Sequence, residues 1–178
     1  MLRYAIHGLD AHEVSLSIGV AFSYTELWTE PTYLKAGGRT YYLCVILDLF
    51  ARKVIAYRLS SRIDKHPAIQ TLHDAVASRS IKSGLIFHSD RGSQYTSFDF
   101  RKELDALNII QSFSKKGHPY DNAVMECFFK YLKKDEINRK SYASFDDLKL
   151  SVFHYIHSYY NAFRPHSHNK GLTPDQTE

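Results

Sequence analysis

The 178-residue sequence has two cysteines, one tryptophan, eight glycines and five prolines. Cys44 and Cys127 make no C-x-x-C pair and no cysteine-rich spacing, which excludes a disulfide scaffold or zinc ribbon and leaves two ordinary buried thiols. The low Gly and Pro content, with 44% hydrophobic and 24% charged residues, excludes collagenous and low-complexity chains. Long apolar runs are also missing. The longest, Tyr41 to Leu47, stops at Asp48, far short of the roughly 20 residues that span a bilayer. Asp10 and Glu13 precede only a weak apolar patch, so the N-terminus does not read as a secretory signal. These absences point to a single cytoplasmic domain with no membrane partner.

What is present is unevenly charged. Residues 1–50 hold three Lys/Arg against five Asp/Glu, and residues 51–178 hold twenty against fourteen, a net +6. A polyanion would meet the C-terminal two thirds. β-like runs at Thr32–Lys35, Tyr41–Leu47 and Lys53–Leu59, separated by Gly37-Gly38 and by Asp48–Arg52, predict an antiparallel meander. Pro67 opens a helix carrying Ile69, Leu72 and Val76, and Gly84–His88 is a short buried-type strand. Thr96-x-x-Asp99 has capping-box spacing for a helix that Asn108 ends, and Ile109–Gln111 reads as a strand. Ser112–Tyr120 reads as a loop, and a helix starts near Asp121. Ser144-x-x-Asp147 caps a long helix with a core face of Leu148, Val152, Tyr155, Ile156, Tyr159 and Phe163, closed by Arg164-Pro165. The order predicts an α/β fold with a mixed sheet, which residues 1–27 do not fit.

Two acids stand out. Asp90 follows directly on the GLIFH strand, where side chains emerge at the carboxyl end of a sheet and α/β sites form. Glu126 shares one helical face with Lys130 and Lys133, while Val124, Cys127, Phe128 and Tyr131 take the opposite one. Taken singly, Asp90 reads as a turn residue and Glu126 as a solvated acid paired with Lys130. The ten histidines do not read as a zinc site: His154 and His157 lie three apart on one helix, His166 and His168 lie in the tail, and no third soft ligand is near. His88 reads as support for Asp90, and the helical spacing of Tyr155, Tyr159, Tyr160 and Phe163 as core packing.

The strings around the two acids, HSDRGSQYTS and SFSKKGHPYDNAVMECFFKYLKKDE, with 35 residues between Asp90 and Glu126, resemble the DDE transposases of bacterial insertion sequences, a retroviral-integrase-like group. YYLCVILDLFARKVIAYRLS upstream, and YYNAFRPH with GLTPDQ downstream, extend the resemblance over roughly residues 28–175. It implies a ribonuclease-H-like fold with a mixed five-stranded sheet flanked by helices, a catalytic core over 28–163, a C-terminal tail over 164–178, and an atypical leader over 1–27. It further implies a metal-binding catalytic triad of Glu30, Asp90 and Glu126, DNA as substrate (transposon ends and target), and homo-oligomers on DNA. Phosphodiester transfer needs attacking and leaving oxygens held in line. Two Mg²⁺ ions, for which Mn²⁺ can substitute, do this through carboxylate ligands. Lys115, Lys116, Lys130, Lys133 and Lys134 supply charges for phosphates without reading bases. Arg164, in the tail motif, either docks DNA or packs back on the core.

The sequence departs from this group at the first acid. Trp28-Thr29-Glu30-Pro31-Thr32-Tyr33 stands where the group has Trp-x-x-Asp-Ile-Thr-Tyr, so Glu30 replaces Asp, Trp28 lies one position closer and Pro31 enters a strand. Asp48 reads as the anchor of a strand turn, not as a substitute acid. Complete proteins of the group carry a further N-terminal region, and residues 1–27 read as a foreign or frameshifted leader. Two functions follow: a DNA strand transferase, or an inactive remnant that binds DNA or full-length transposase.

Overall fold

The computed structural model describes residues 26–78, 84–114 and 123–178. Its centre is a five-stranded sheet in the order β3-β2-β1-β4-β5. Strands β1 (Glu26–Ala36), β2 (Arg39–Asp48) and β3 (Lys53–Ser60) form the expected antiparallel meander. Strands β4 (Ile86–Ser89) and β5 (Ile110–Phe113) add in parallel on the other side of β1. Helices cover both faces, so this is the mixed α/β, ribonuclease-H-like architecture. β1 is longer than its sequence signal because its first half is buried on both faces and therefore shows no alternation. Glu26 and Leu27 thus belong to the sheet, whereas residues 1–25 lie outside the described residues.

The β1–β2 turn needs its glycine. Gly37 has φ +52°, its N–H donates to the Tyr142 carbonyl at 2.9 Å, and a Cβ there would meet the Ala143 oxygen at 2.8 Å. On one face of the sheet, Leu27, Ile46 and Phe87 pack against α1 (Lys65–Ala77), α2 (Ser93–Thr96) and α3 (Phe98–Ala106). On the other, Trp28, Leu34, Val45 and Leu47 meet α4 (Ala123–Asp135), α5 (Phe145–Phe153) and the helical segment after it. Each fully buried Leu or Phe in these layers contributes about 1.5–3 kcal/mol of transfer free energy. A last short helix, α6 (Pro174–Thr177), is closed by a Thr173–Gln176 capping box.

Four local expectations change. The N-cap of α3 is Ser97, whose hydroxyl accepts from the Phe100 N–H, because Thr96 closes α2. β5 extends to Phe113, since Ser112 and Phe113 pair with His88 and Ser89. The core face of α4 is Met125, Phe128, Phe129 and Leu132, rotated from the expected stripe, and Cys127 is exposed while Cys44 is buried. Phe128, common to both stripes, meets Tyr160 edge-on, with ring centroids 4.8 Å apart.

The fourth change is the most physical. Ser144 and Asp147 form the expected capping box, but from His154 to Asn161 the helix is a π-helix. The wider turn brings Tyr160 and Asn161 inward after Tyr155 and Ile156, while Tyr159 and Phe163 turn outward to 43% and 71% exposure. Asn161 explains the register: its amide accepts from the Val54 N–H at 3.1 Å and donates to the Val54 carbonyl at 2.9 Å, clasping the edge strand β3.

Candidate active site

The parallel register of β1 on β4 pairs Trp28 with His88 and Thr29 with Ser89. The ladder ends there, one residue before Glu30 on β1 and before Asp90 in the turn after β4. Glu30 belongs to the face of Trp28, whose ring stacks on His88 at 4.5 Å, because alternate residues of a strand share a face. Glu30 also lies opposite Val45, a core residue of the face covered by α4. Glu126, exposed in the first turn of α4, is therefore on the same side of the sheet as Glu30. Among the described residues, however, no three His, Cys, Asp or Glu side chains gather closely enough to hold a metal ion.

The turn after Asp90 is shaped by the acid itself. Asp90 Oδ1 accepts from the Gly92 N–H at 3.0 Å, and the Gly92 carbonyl accepts from the Tyr95 and Thr96 N–H groups, opening α2. A Cβ on Gly92 would press on the Gln94 amide at 2.5 Å. Tyr95 then returns under the sheet: its hydroxyl lies 3.0 Å from Thr29 Oγ1 and 3.6 Å from Cys44 Sγ. Burial pushes the ionisation of both Tyr95 and Cys44 upward, so they stay neutral. Gln111 fixes the same turn from β5 by donating to the Tyr95 carbonyl at 2.8 Å. Tyr95, Thr29 and Gln111 thus tie the Asp90 turn to the strand carrying Glu30. Sequence reasoning missed their role, although Tyr95 lies within the HSDRGSQYTS string.

His88 supports this floor as expected. Its Nδ1 lies 3.1 Å from Ser112 Oγ and its Nε2 3.0 Å from Ser114 Oγ, so both ring nitrogens are engaged. Asp48 anchors the β2–β3 turn as expected, accepting from the Phe50 N–H at 3.0 Å.

Of the expected phosphate ligands, Lys130 and Lys134 are exposed on α4 and Lys133 is half-buried. Lys115 and Lys116 lie outside the described residues. Arg164 packs back on the core. It donates to Asp135 Oδ2 at 3.0 Å, and its guanidinium lies 3.9 Å from the Tyr131 ring centroid, which ties the tail to the end of α4.

The donor chemistry fits a hard divalent cation in part: Glu30 on β1 and Asp90 in the turn after β4 are carboxylates, and both nitrogens of His88 are engaged. No helix among the described residues is long and apolar enough to cross a membrane.

Similarity to known proteins agrees with the fold. The transposase InsF of insertion sequence IS3A from Escherichia coli K12 is 37% identical over 179 aligned positions, covering 99% of this chain and 62% of InsF. A Lactococcus lactis protein named ATP-dependent protease is 46% identical over 145 residues, which are 82% of this chain and 43% of that protein. The chain therefore spans roughly half the length of these relatives. The HTLV-2 integrase catalytic core solved with magnesium in a trimeric form superposes with a TM-score of 0.66 at 15% identity, covering 86% of this chain and 95% of that one, which speaks to the fold. Integrase core domain models match residues 27–119 and 107–174, one taking in β1 with the Asp90 turn and the other α4 with the tail, and so the chain belongs to the integrase core family of DDE transposases and retroviral-type integrases.

Proposed function

We propose that this chain carries the catalytic core of an insertion-sequence transposase, a fold that cleaves phosphodiester bonds and transfers DNA strands with the help of divalent metal, and that Glu30 in place of Asp leaves this copy weakly active. The reading is supported by the β1–β4 register, whose last pair, Thr29 and Ser89, immediately precedes Glu30 and Asp90. Glu30, Asp90 and Glu126 are the residues that would hold Mg²⁺ or Mn²⁺. A bound pair of such ions supplies charge stabilisation at the attacking and leaving oxygens. The chain's own part is to fix the acids: Tyr95 and Gln111 hold the Asp90 turn, and the Trp28–His88 stack holds the two strands together. Lys130, Lys133 and Lys134, with Lys115 and Lys116, supply the phosphate contacts for transposon-end and target DNA, on which copies of the chain assemble. The relatives' transposase name supports the same reading.

A second reading, an inactive core that binds DNA or full-length transposase, is favoured by one observation: the three acids do not gather into a metal-holding group among the described residues. The lengthened first acid offers a cause, since a site must hold its ligands to within about 0.5 Å. The deciding experiment is strand transfer with pre-processed transposon-end DNA and Mg²⁺ or Mn²⁺, using the double variant Glu30→Asp, Pro31→Ile with and without Asp90→Asn. Activity in the first that Asp90→Asn abolishes supports the transferase. Inactivity of the double variant with intact DNA binding supports the remnant.

A further inference from the structure

A second concavity lies away from the carboxylates, where the end of α4, the 3₁₀ turn Ile137–Arg139, α5 and the π-helix meet. It encloses about 820 Å³, within the range of small-ligand pockets, and Tyr142, Tyr155, Tyr159, His154, Arg139 and Lys140 are among its lining residues. Tyr155 is the informative member. It is only 4% exposed, yet its buried hydroxyl has no hydrogen-bond partner. Leaving such a group unmade is costly, so it calls for something that enters the cavity.

The acids here are already engaged. Asp135 pairs with Arg164, Glu136 accepts from Lys140 and Ser151, and Asp147 completes the α5 capping box. Burial pushes the Tyr155 phenol up, so at neutral pH it is a donor. Arg139 is exposed and uses its Nε on the Lys134 carbonyl at 3.2 Å, while its terminal nitrogens bond no carboxylate among the described residues. The unspent functions are thus a buried O–H, an exposed guanidinium and aromatic ring faces. Flat rings with acceptor edges and an attached anion match that set, which is the chemistry of a nucleotide.

We infer that this cavity receives one unpaired nucleotide of the DNA, its base against the tyrosine rings with an edge acceptor on the Tyr155 hydroxyl, and its phosphate at Arg139. The inference rests on the proposed DNA-binding function. It adds a second anchoring point for strand ends, reached from the lysine face of α4, on which Lys134 immediately precedes Asp135. The site grips a single strand, because a paired base has no ring face to offer a cavity.

The test compares binding of the full chain to a blunt duplex and to the same duplex with a short single-stranded tail. The tailed duplex is expected to bind about tenfold tighter, the scale of one base stacked on an aromatic ring. Tyr155→Phe, which keeps the ring and loses only the donor, and Arg139→Gln, which loses the phosphate contact, should each reduce that gain and leave the blunt duplex unaffected. Tyr155→Phe should also raise the melting temperature of the free protein, because it deletes an unsatisfied buried hydroxyl while keeping the ring. Equal affinity for both duplexes, or a tail preference that survives both substitutions, overturns the inference while leaving DNA binding intact. Failure to bind either duplex instead removes the DNA reading on which it rests.

Discussion

Trp28 and His88 face each other across the parallel pair β1–β4 with ring centroids 4.5 Å apart and planes inclined by 27°. Each lies two residues before an acid, Glu30 on β1 and Asp90 after β4. The stack therefore fixes the spacing of the strands at the point from which both carboxylates leave, and Ser112 and Ser114 hold the imidazole from the far side. Pro31 is tolerated in this sheet because the β4 ladder ends at Thr29–Ser89, leaving β1 a single neighbour at position 31.

The unmodified chain should show little or no strand transfer. Glu30→Asp should restore part of it, and Glu30→Asp with Pro31→Ile more than either alone, because arm length and strand geometry act on the same ligand. Gel analysis of transfer products with labelled transposon-end DNA checks this, and full activity of the unmodified chain would count against it.

DNA affinity should fall steeply with salt and depend little on sequence. Lys130→Gln and Lys134→Gln, at exposed positions of α4, should each lower the slope of log affinity against log salt by about 1. Titrations of a labelled duplex at several salt concentrations measure it, and an unchanged slope removes these lysines from the phosphate contacts.

Asn161→Ala should destabilise the fold by about 1–3 kcal/mol, since it strands the Val54 N–H and carbonyl that the amide satisfies. It also uncovers the edge of β3, so the variant should self-associate more readily. Urea midpoints and light scattering read the two effects. Asn161→Asp, which buries a carboxylate and sets one of its oxygens against the Val54 carbonyl, should cost at least as much.

His166 should make stability depend on pH. Burial, helped by Arg164, Arg52 and His168, lowers its pKa from 6.5 to about 4. The folded-state value lies below the unfolded one, so the unfolded chain takes up the proton first. The contribution is complete above pH 6.5, declines as pH falls from 6.5 to 4, and is gone below that. For a half-buried ring screened by solvent it amounts to about 1–2 kcal/mol. His166→Gln should flatten this part of the melting temperature profile relative to the unmodified chain, and an identical profile would exclude the assignment.

Local signals sufficed wherever neighbours in sequence settle a conformation. The β2 and β3 runs, the Ser144–Asp147 capping box and the break at Asn108, which adopts φ +55°, all rest on near-neighbour sterics and hydrogen bonds. The motif strings carried the family likeness and the acids Asp90 and Glu126 for a related reason, since the residue types that chemistry needs are written in the chain. What the sequence could not decide depends on partners distant in it. The π-helix exists because Asn161 finds Val54, 107 positions away, and no helical periodicity encodes that choice. The same long-range clasp turned Tyr159 and Phe163 outward and Tyr160 inward. Arg164 could be read from sequence as a DNA contact or a packing residue, and only its placement on Tyr131 and Asp135 gave it the second role. Thr29 and Ser89, the residues just before Glu30 and Asp90, are joined by a parallel strand pairing across 60 residues, a relationship fixed by packing on both sheet faces and not by either local string.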